Sequence, residues 1–484
     1  MKRRTFIKKA ILLGAGLALP KVLLNCTSDV VVDPEQLNAG KKILVIGAGI
    51  AGLSAAASLA DSGFDVQVME ASGRYGGRIK SVDFEGFTAD HGASWIHGIN
   101  GNPLYSLAND NAIQTTPTYY DPSRIFDVDG TEITQAEWDS ILPYLDDLAD
   151  IAYSHPDASL EDILGIIAPQ LPADDKLIRL FYGAVRSEIE IPYAVDAKDI
   201  SAKALLIEDS FPGDDVVFPS GMQQLTDVLA RGLNIIYNTF VTKIDYSGEK
   251  VRVFATETSN VPADRSCNAC HNQTNAISLP HTKVYEAERV VVALPIEMIK
   301  RENVVFYPPL PQEKKNALQN LQMGTMNKVF LKFDNRFWDD TSYFFEPLKT
   351  DYSRIVEFFN AASVGNHNVL IAFLAGYHAK SIESMNDTEV TEMIMQDLRQ
   401  MFGNSIPQPV AMQRTAWHTQ SLSLGCYPHL VPGGNINACD VLFENIDQKI
   451  FFAGDYTSKK YMATTHGAFL SGKKAAYEIS KTWV

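Results

Sequence analysis

The chain has 484 residues, enough for about three ordinary domains or two large interwoven ones. Hydrophobic residues make up 46% and charged residues 21%, which excludes a disordered, collagenous or coiled-coil chain. The formal net charge of −16 excludes the basic footprint of a nucleic-acid binder and suits a host for cationic small molecules.

The first segment is not part of the fold. Lys2-Arg3-Arg4-Thr5-Phe6-Ile7-Lys8 precedes the apolar run Ala10–Pro20, a pattern expected of a twin-arginine export signal. The run is too short to span a bilayer as an ordinary helix. Leu23-Leu24-Asn25-Cys26 then resembles a bacterial lipobox with an unusual Asn25, leaving lipidation of Cys26 open. Residues 1–26 are therefore expected to engage the twin-arginine export machinery and carry a folded, cofactor-loaded protein to the periplasm or beyond. The membrane is met only through the signal or a lipid, and residues 27–40 form a polar linker.

Lys41–Ile46 has the apolar, β-branched pattern of a buried strand. It runs into Gly47-Ala48-Gly49-Ile50-Ala51-Gly52, an Ala-rich helix over Leu53–Ser62, a second strand over Asp65–Met69, and Glu70, 18 residues beyond Gly52. Gly47 permits a tight turn, Gly49 lets the backbone approach a pyrophosphate, and Gly52 lets helix and strand pack closely. The helix N-terminus offers free N–H groups to phosphates, Ala51 in the turn before it is counted with the cofactor-binding residues, and Glu70 accepts from ribose hydroxyls. Strand, helix, strand and acid together make this dinucleotide signal far stronger than the glycines alone.

The next residues select FAD over a nicotinamide. Gly73-Arg74-Tyr75-Gly76-Gly77-Arg78 supplies a second glycine turn, and Arg78 is expected to pair with phosphates. His91-Gly92-Ala93-Ser94-Trp95-Ile96-His97 offers small residues and aromatics suited to a flavin ring. Near the C-terminus, strand Ile450–Phe452 leads to Asp455. A helix starting near Thr465 and continuing through Phe469–Ile479 aims its N–H groups toward the flavin pyrimidine, which stabilises negative charge there.

These segments resemble the flavin-containing amine oxidases, and within them the spermine and acetylpolyamine oxidase branch. The likeness runs from Lys41 to the C-terminus. It rests on the glycine fingerprint, the stretch Gly73–Arg78, the run Trp95–Pro103, the strand segment Gly324–Phe333 with Arg336-Phe337-Trp338, the segment Trp417–Tyr427, and Thr464-Thr465-His466-Gly467-Ala468. The implied fold is α/β, a Rossmann-like FAD-binding domain of the glutathione-reductase type interleaved with an α+β substrate domain. The FAD domain is expected over 41–118, 217–300 and 440–484, and the substrate domain over 119–216 and 301–439.

The resemblance assigns roles residue by residue. Glu70 and Arg78 hold ribose and phosphates, Val241 meets the adenine through its backbone, and Trp417 and Cys426 lie beside the flavin. Asp455 stands where the family usually has Glu and faces the ribityl chain. Lys328 holds a water near flavin N5. Alternation in Lys328–Phe333 does not by itself say which face is buried, so a surface lysine is the competing reading. His97 tunes or positions the amine, against a core histidine satisfied by backbone. Tyr427 walls an aromatic slot whose second wall, in the monoamine branch, falls here near Thr464. Glu188 and Glu190 are either an anchor for a distal ammonium or a solvated strand face.

Cys426 sits where monoamine oxidases carry a thioether to the flavin, leaving covalent FAD and an inert buried thiol both open. Cys439 is expected in the core. Cys267-Asn268-Ala269-Cys270-His271 matches the haem c pattern, yet lies in a polar insertion too small to enclose a haem. A local disulfide or free thiols are expected instead. No metal-ligand cluster is apparent.

The expected reaction is hydride transfer from the α-carbon of a neutral amine to FAD, then hydrolysis to aldehyde and amine, with O₂ giving H₂O₂. A dehydrogenase using a periplasmic carrier, a monoamine oxidase and an L-amino-acid oxidase are the alternatives; the last requires an arginine to grip a carboxylate. A non-enzymatic amine-binding flavoprotein needs a blocked pocket.

Overall fold

A computed structural model describes residues 38–207, 210–260, 282–350 and 356–483. The arginine pair, the lipobox at Cys26 and the Cys267-Cys270-His271 motif lie outside them.

Five parallel strands form the first sheet, in the spatial order Ile450–Phe452, Arg289–Val292, Lys42–Ile46, Asp65–Met69, Asn234–Ile236. Parallel strands are covered on both faces and read as apolar runs, which is why KILVI contains no exposed residue. Its side chains alternate. Ile43 and Val45 pack under helices Ile50–Asp61 and Thr465–Lys481, whereas Leu44 and Ile46 face a four-stranded sheet that includes Thr239–Asp245 and Val251–Glu257. The two helices cross closely because residue 472 is glycine: a Cβ there would lie 2.1 Å from the Ala51 carbonyl oxygen.

The run Val284–Leu294 forms two strands. Val284–Leu294 is broken at Glu288. Lys283–Ala287 ends the four-stranded sheet, while Arg289–Val292 enters the parallel one. The Glu288 carboxylate accepts from the Lys42 N–H at 2.7 Å, which fixes the switch point.

The second large sheet has six strands in the order Ala411–Arg414, Met326–Lys332, Val369–Ala375, Val356–Asn360, Phe344–Pro347, Ser123–Phe126. All neighbours are antiparallel except the last pair. One face packs Val329, Leu331, Leu370 and Ala372 on helix Asp387–Phe402. Helices Gln135–Ser154, Leu160–Ile167 and Asp175–Val185 form a further layer. The other sheet face looks into a cavity. Among the described residues no helix is long and apolar enough to cross a membrane.

Candidate active site

The cavity is continuous, about 650 Å³, and runs from the glycine turn to the six-stranded sheet. Its cofactor end is built by backbone demands. Gly47 has φ +100°, and a Cβ there would approach the Ala293 oxygen to 2.5 Å. At Gly52 a Cβ would come within 1.9 Å of the Gly47 oxygen, so helix and turn touch as the spacing predicts. At Gly49 a Cβ would meet no atom within 4 Å, which leaves the backbone open to the cavity. Ala51 lines the same wall at the helix start. Glu70 accepts from the Ala48 N–H at 2.8 Å and from the Ser72 N–H at 2.7 Å and its hydroxyl at 2.8 Å. That open cradle, its helix N-terminus and the carboxylate fit a dinucleotide.

Further along, Arg78 bridges both ends. Its guanidinium donates to both Asp455 oxygens at 2.6 and 2.9 Å and to the Cys426 carbonyl at 2.7 Å. Burial opposes its charge, yet the Asp455 carboxylate keeps the arginine above its ordinary value. Arg78 lines the cavity, but its fork is committed to Asp455, a partnership the sequence reading did not include. Val241, buried at a bulge in its strand, lines the same end. Thr464 caps helix Thr465–Lys481 by accepting from the Gly467 N–H at 2.9 Å, and both threonines face the cavity.

At the junction with the substrate wall, Lys328 is buried at 6% exposure. Its Nζ donates to the Asp90 and Gly92 carbonyls at 2.8 and 2.7 Å and to Ser94 Oγ at 2.5 Å. It lies 5.8 Å from the Trp95 ring centre and 5.7 Å from that of Phe373. Burial pushes its ammonium down to about 8, with the Asp90 carboxylate opposing. Burial also pushes the Asp90 carboxyl up to about 6, against the Ser81 hydroxyl and Lys328. The surface-lysine reading is thus excluded. Gly92, Ala93, Ser94 and Trp95 all line this stretch, and Trp417 holds the same loop by donating from Nε1 to the His91 carbonyl at 3.0 Å.

His97 is not satisfied by backbone. Its Nδ1 stands 2.8 Å from Asp215, whose carboxylate also accepts from the Tyr120 hydroxyl at 2.8 Å and the Gly98 N–H at 2.9 Å. A carboxylate only accepts, so Nδ1 carries a proton, and in the neutral ring Nε2 is then the acceptor. Asp215 was missed in sequence because 118 residues separate it from His97, and strand Asp215–Val217 reaches Trp95-Ile96 only through cross-strand pairing.

Glu188 and Glu190 are neither a strand nor solvated. Residues Arg186–Glu190 form a π-helical turn, buried throughout. Ser187 and Glu188 line the cavity, whereas Glu190 does not. The Glu190 carboxylate accepts from the Ala197 N–H at 2.6 Å, lies 3.7 Å from Arg186, and is pushed by burial up to about 7. Glu190 is therefore a structural residue, and the expectation that it faces substrate is corrected. Glu357, in a buried strand, is a cavity carboxylate that the sequence reading missed.

Tyr427 lines the cavity, with its hydroxyl 3.4 Å from the Ile191 carbonyl. Cys426 lines it too. Its Sγ lies 3.2 Å from both the Met326 N–H and the Gly324 carbonyl, and burial pushes the thiol up to about 12. Cys439 is buried in the core. No group of His, Cys, Asp and Glu able to hold a metal occurs among the described residues.

The profile of the flavin-containing amine oxidoreductases matches residues 50–480. Polyamine oxidase 2 of Arabidopsis thaliana is 29% identical over 462 residues, covering 90% of this chain and 87% of its own. Lysine-specific histone demethylase 1 homolog 1 of the same plant is 29% identical over 467 residues. The match covers 90% of this chain but 52% of that protein, so the chain spans about half the demethylase's length. Wild-type putrescine oxidase bound to putrescine aligns with a TM-score of 0.69 at 19% identity, covering 91% of this chain and 98% of its own, a likeness of fold.

Proposed function

The chain belongs to the flavin-containing amine oxidoreductases, and on that premise we propose that it oxidises a polyamine of the spermine or spermidine type. The substrate gives up two electrons and two protons to O₂, forming H₂O₂, and water supplies the oxygen of the aldehyde as the amine product leaves. FAD, when bound, supplies the two-electron chemistry.

The observation that carries this reading is the charge of the cavity wall. Away from the glycine turn it presents Glu188, Asp214, Asp215 and Glu357, and the cavity's arginines, Arg74 and Arg78, are committed elsewhere. Arg78 grips Asp455, and Arg74 donates to the Tyr75, Gly77 and Ile79 carbonyls. An acid wall with no uncommitted arginine among the described residues to grip a carboxylate favours a polycation over an amino acid.

The chain's own groups then divide the work. Gly49, Ala51, Glu70 and the N-terminus at Thr464-Thr465 would hold the dinucleotide. Lys328 keeps a fixed donor between the flavin-facing loop and the substrate wall. His97, its tautomer set by Asp215, accepts a proton at Nε2 and leaves the amine neutral for oxidation. Tyr427 and Trp95 exclude water from the slot. Cys426, satisfied by Met326 and Gly324 and hard to ionise, favours non-covalent FAD. Export through the twin-arginine route, with periplasmic residence, completes the proposal; fractionation of cells carrying Arg3→Lys and Arg4→Lys tests it.

The decisive experiment mixes holoenzyme anaerobically with spermine, spermidine, tyramine and an amino acid while flavin absorbance is followed. Bleaching by the polyamines is expected. Persistent yellow colour with every amine would sink the proposal. H₂O₂ formed on admitting air separates an oxidase from a dehydrogenase.

A further inference from the structure

Asp90 faces two ways. It ends strand Phe87–Asp90, which pairs with Ser81–Phe84. Its carbonyl accepts from Lys328 Nζ at 2.8 Å. Its carboxylate turns instead to the start of helix Gln223–Ala230, where the Met222 N–H donates to its two oxygens at 3.1 and 3.2 Å. The Ser81 hydroxyl donates to the same carboxylate at 2.5 Å and accepts from the Gln223 N–H at 3.1 Å. Met222 makes no side-chain cap of its own, so Asp90 and Ser81 cap this helix from outside. Gly221, with φ +85°, lets them come close: a Cβ there would lie 2.4 Å from Ser81 Oγ.

Those donors and the positive end of the helix favour the ionised carboxylate. Lys328 needs such a charge. Its three N–H groups are spent on the Asp90 and Gly92 carbonyls and on Ser94 Oγ, all of them neutral. A buried ammonium among neutral acceptors still pays for lost water unless a countercharge stands nearby. The charged and titratable groups around it are few. In its own loop, burial pushes His91 down to about 4, with Lys80, Lys328 and Arg74 also opposing its charge, and His97 pairs with Asp215. Strand Val369–Ala375 brings Phe373 and no titratable group. On strand Ala411–Arg414, Arg414 pairs with Asp387. Glu357 stands one strand further across. The Asp90 carboxylate is the charge that favours the ammonium.

From this arrangement we propose that Asp90 is a positioning residue for Lys328. Its carbonyl fixes where the ammonium stands, and its carboxylate, tethered to the helix start, supplies the countercharge that keeps the lysine protonated. Asp90 does not line the cavity, so it acts through Lys328. This deepens the reading of Lys328 given above and rests on it for the nearness of the flavin.

The test follows flavin absorbance of the holoenzyme from about pH 6 to about pH 10 with no amine present. The transition that Lys328→Met abolishes reports the lysine. Asp90→Asn keeps the shape and removes the charge. It is expected to move that transition down by about one pH unit, an about tenfold weaker hold on the proton, and Asp90→Glu to bring it part of the way back. A shift under about 0.5 unit in Asp90→Asn overturns the proposal, as does an equal shift in Asp90→Glu or a wild-type spectrum with no transition that depends on Lys328. Should the variants not fold, salt decides on wild type. Dissolved ions screen carboxylates on the open cavity wall far more than one packed against a helix end. Raising NaCl from about 20 to about 500 mM should leave the transition within about 0.2 unit, and a fall of about 0.5 unit or more assigns the countercharge to the wall and overturns the proposal. With an oxidisable amine, the same downward shift is expected in the limb near pH 8 of flavin reduction. If wild type oxidises no amine, the polyamine reading fails while the spectral titration still decides Asp90.

Discussion

Two regions of the molecule each bury one lysine in nearly the same way. Lys328 donates to three acceptors beside two aromatic rings. Lys314, in helix Gln312–Leu318, donates to the Val441, Leu442 and Glu444 carbonyls at 2.7, 3.0 and 2.8 Å, with its Nζ 4.3 Å from the Phe452 ring centre. Burial pushes both ammoniums down to about 8. The difference is what lies beyond. Lys314 closes the carbonyl end of helix Ala438–Phe443, where a cation also meets the negative end of the dipole. Lys328 opens onto the cavity. A depressed lysine is thus no mark of a site by itself; access decides whether the cost of burial serves the fold or the chemistry.

The sharpest way to break this comparison is to remove each side chain. Lys328→Met should slow anaerobic flavin reduction by about 10² to 10³-fold, read by stopped-flow absorbance. Its stability should change little, since cavity water can satisfy the freed acceptors. Lys314→Met should do the reverse. Three carbonyls lose their donor away from the cavity, costing about 3 kcal/mol in urea denaturation, while turnover per bound FAD stays at the wild-type value. If the two variants lose activity alike, access is not what separates them.

pH sharpens it further. Both lysines charge less readily in the folded chain than in the unfolded one. Below about 8 the penalty of burying the charge is fully present, and it is relieved as pH rises toward the ordinary lysine value. The stability gap between wild type and Lys314→Met should therefore widen from pH 7 to pH 9.5. A kinetic limb near pH 8 should persist in Lys314→Met and vanish in Lys328→Met, as pH–rate profiles would show. The smallest effect belongs to Cys426. Acid precipitation should release the yellow colour to the supernatant, and Cys426→Ser should retain the holoenzyme spectrum.

Backbone requirements were the most legible part of this molecule. Gly47 and Gly52 are demanded by a positive φ and a close approach, so their spacing announced the turn and the strands around it. Lys328 needed the family likeness, because alternation along a strand does not tell cavity from solvent. Glu357 was hidden in VEFFN, one acid in an apolar strand that only the folded sheet turns toward the cavity. Glu190 was misjudged because the Glu-Ile-Glu spacing suggests one strand face, whereas in a helical turn residues i and i+2 point apart.

The π-turn at 186–190 carries one residue more than an α-helix would need there. Removing a single residue would rewind it to an α-turn and displace the bulged side chains, among them the cavity-lining Ser187 and Glu188, while the helices on either side keep their register. Selectivity in this pocket could therefore drift through single-codon insertions and deletions as well as substitutions, with the glycine cradle on the far wall left untouched.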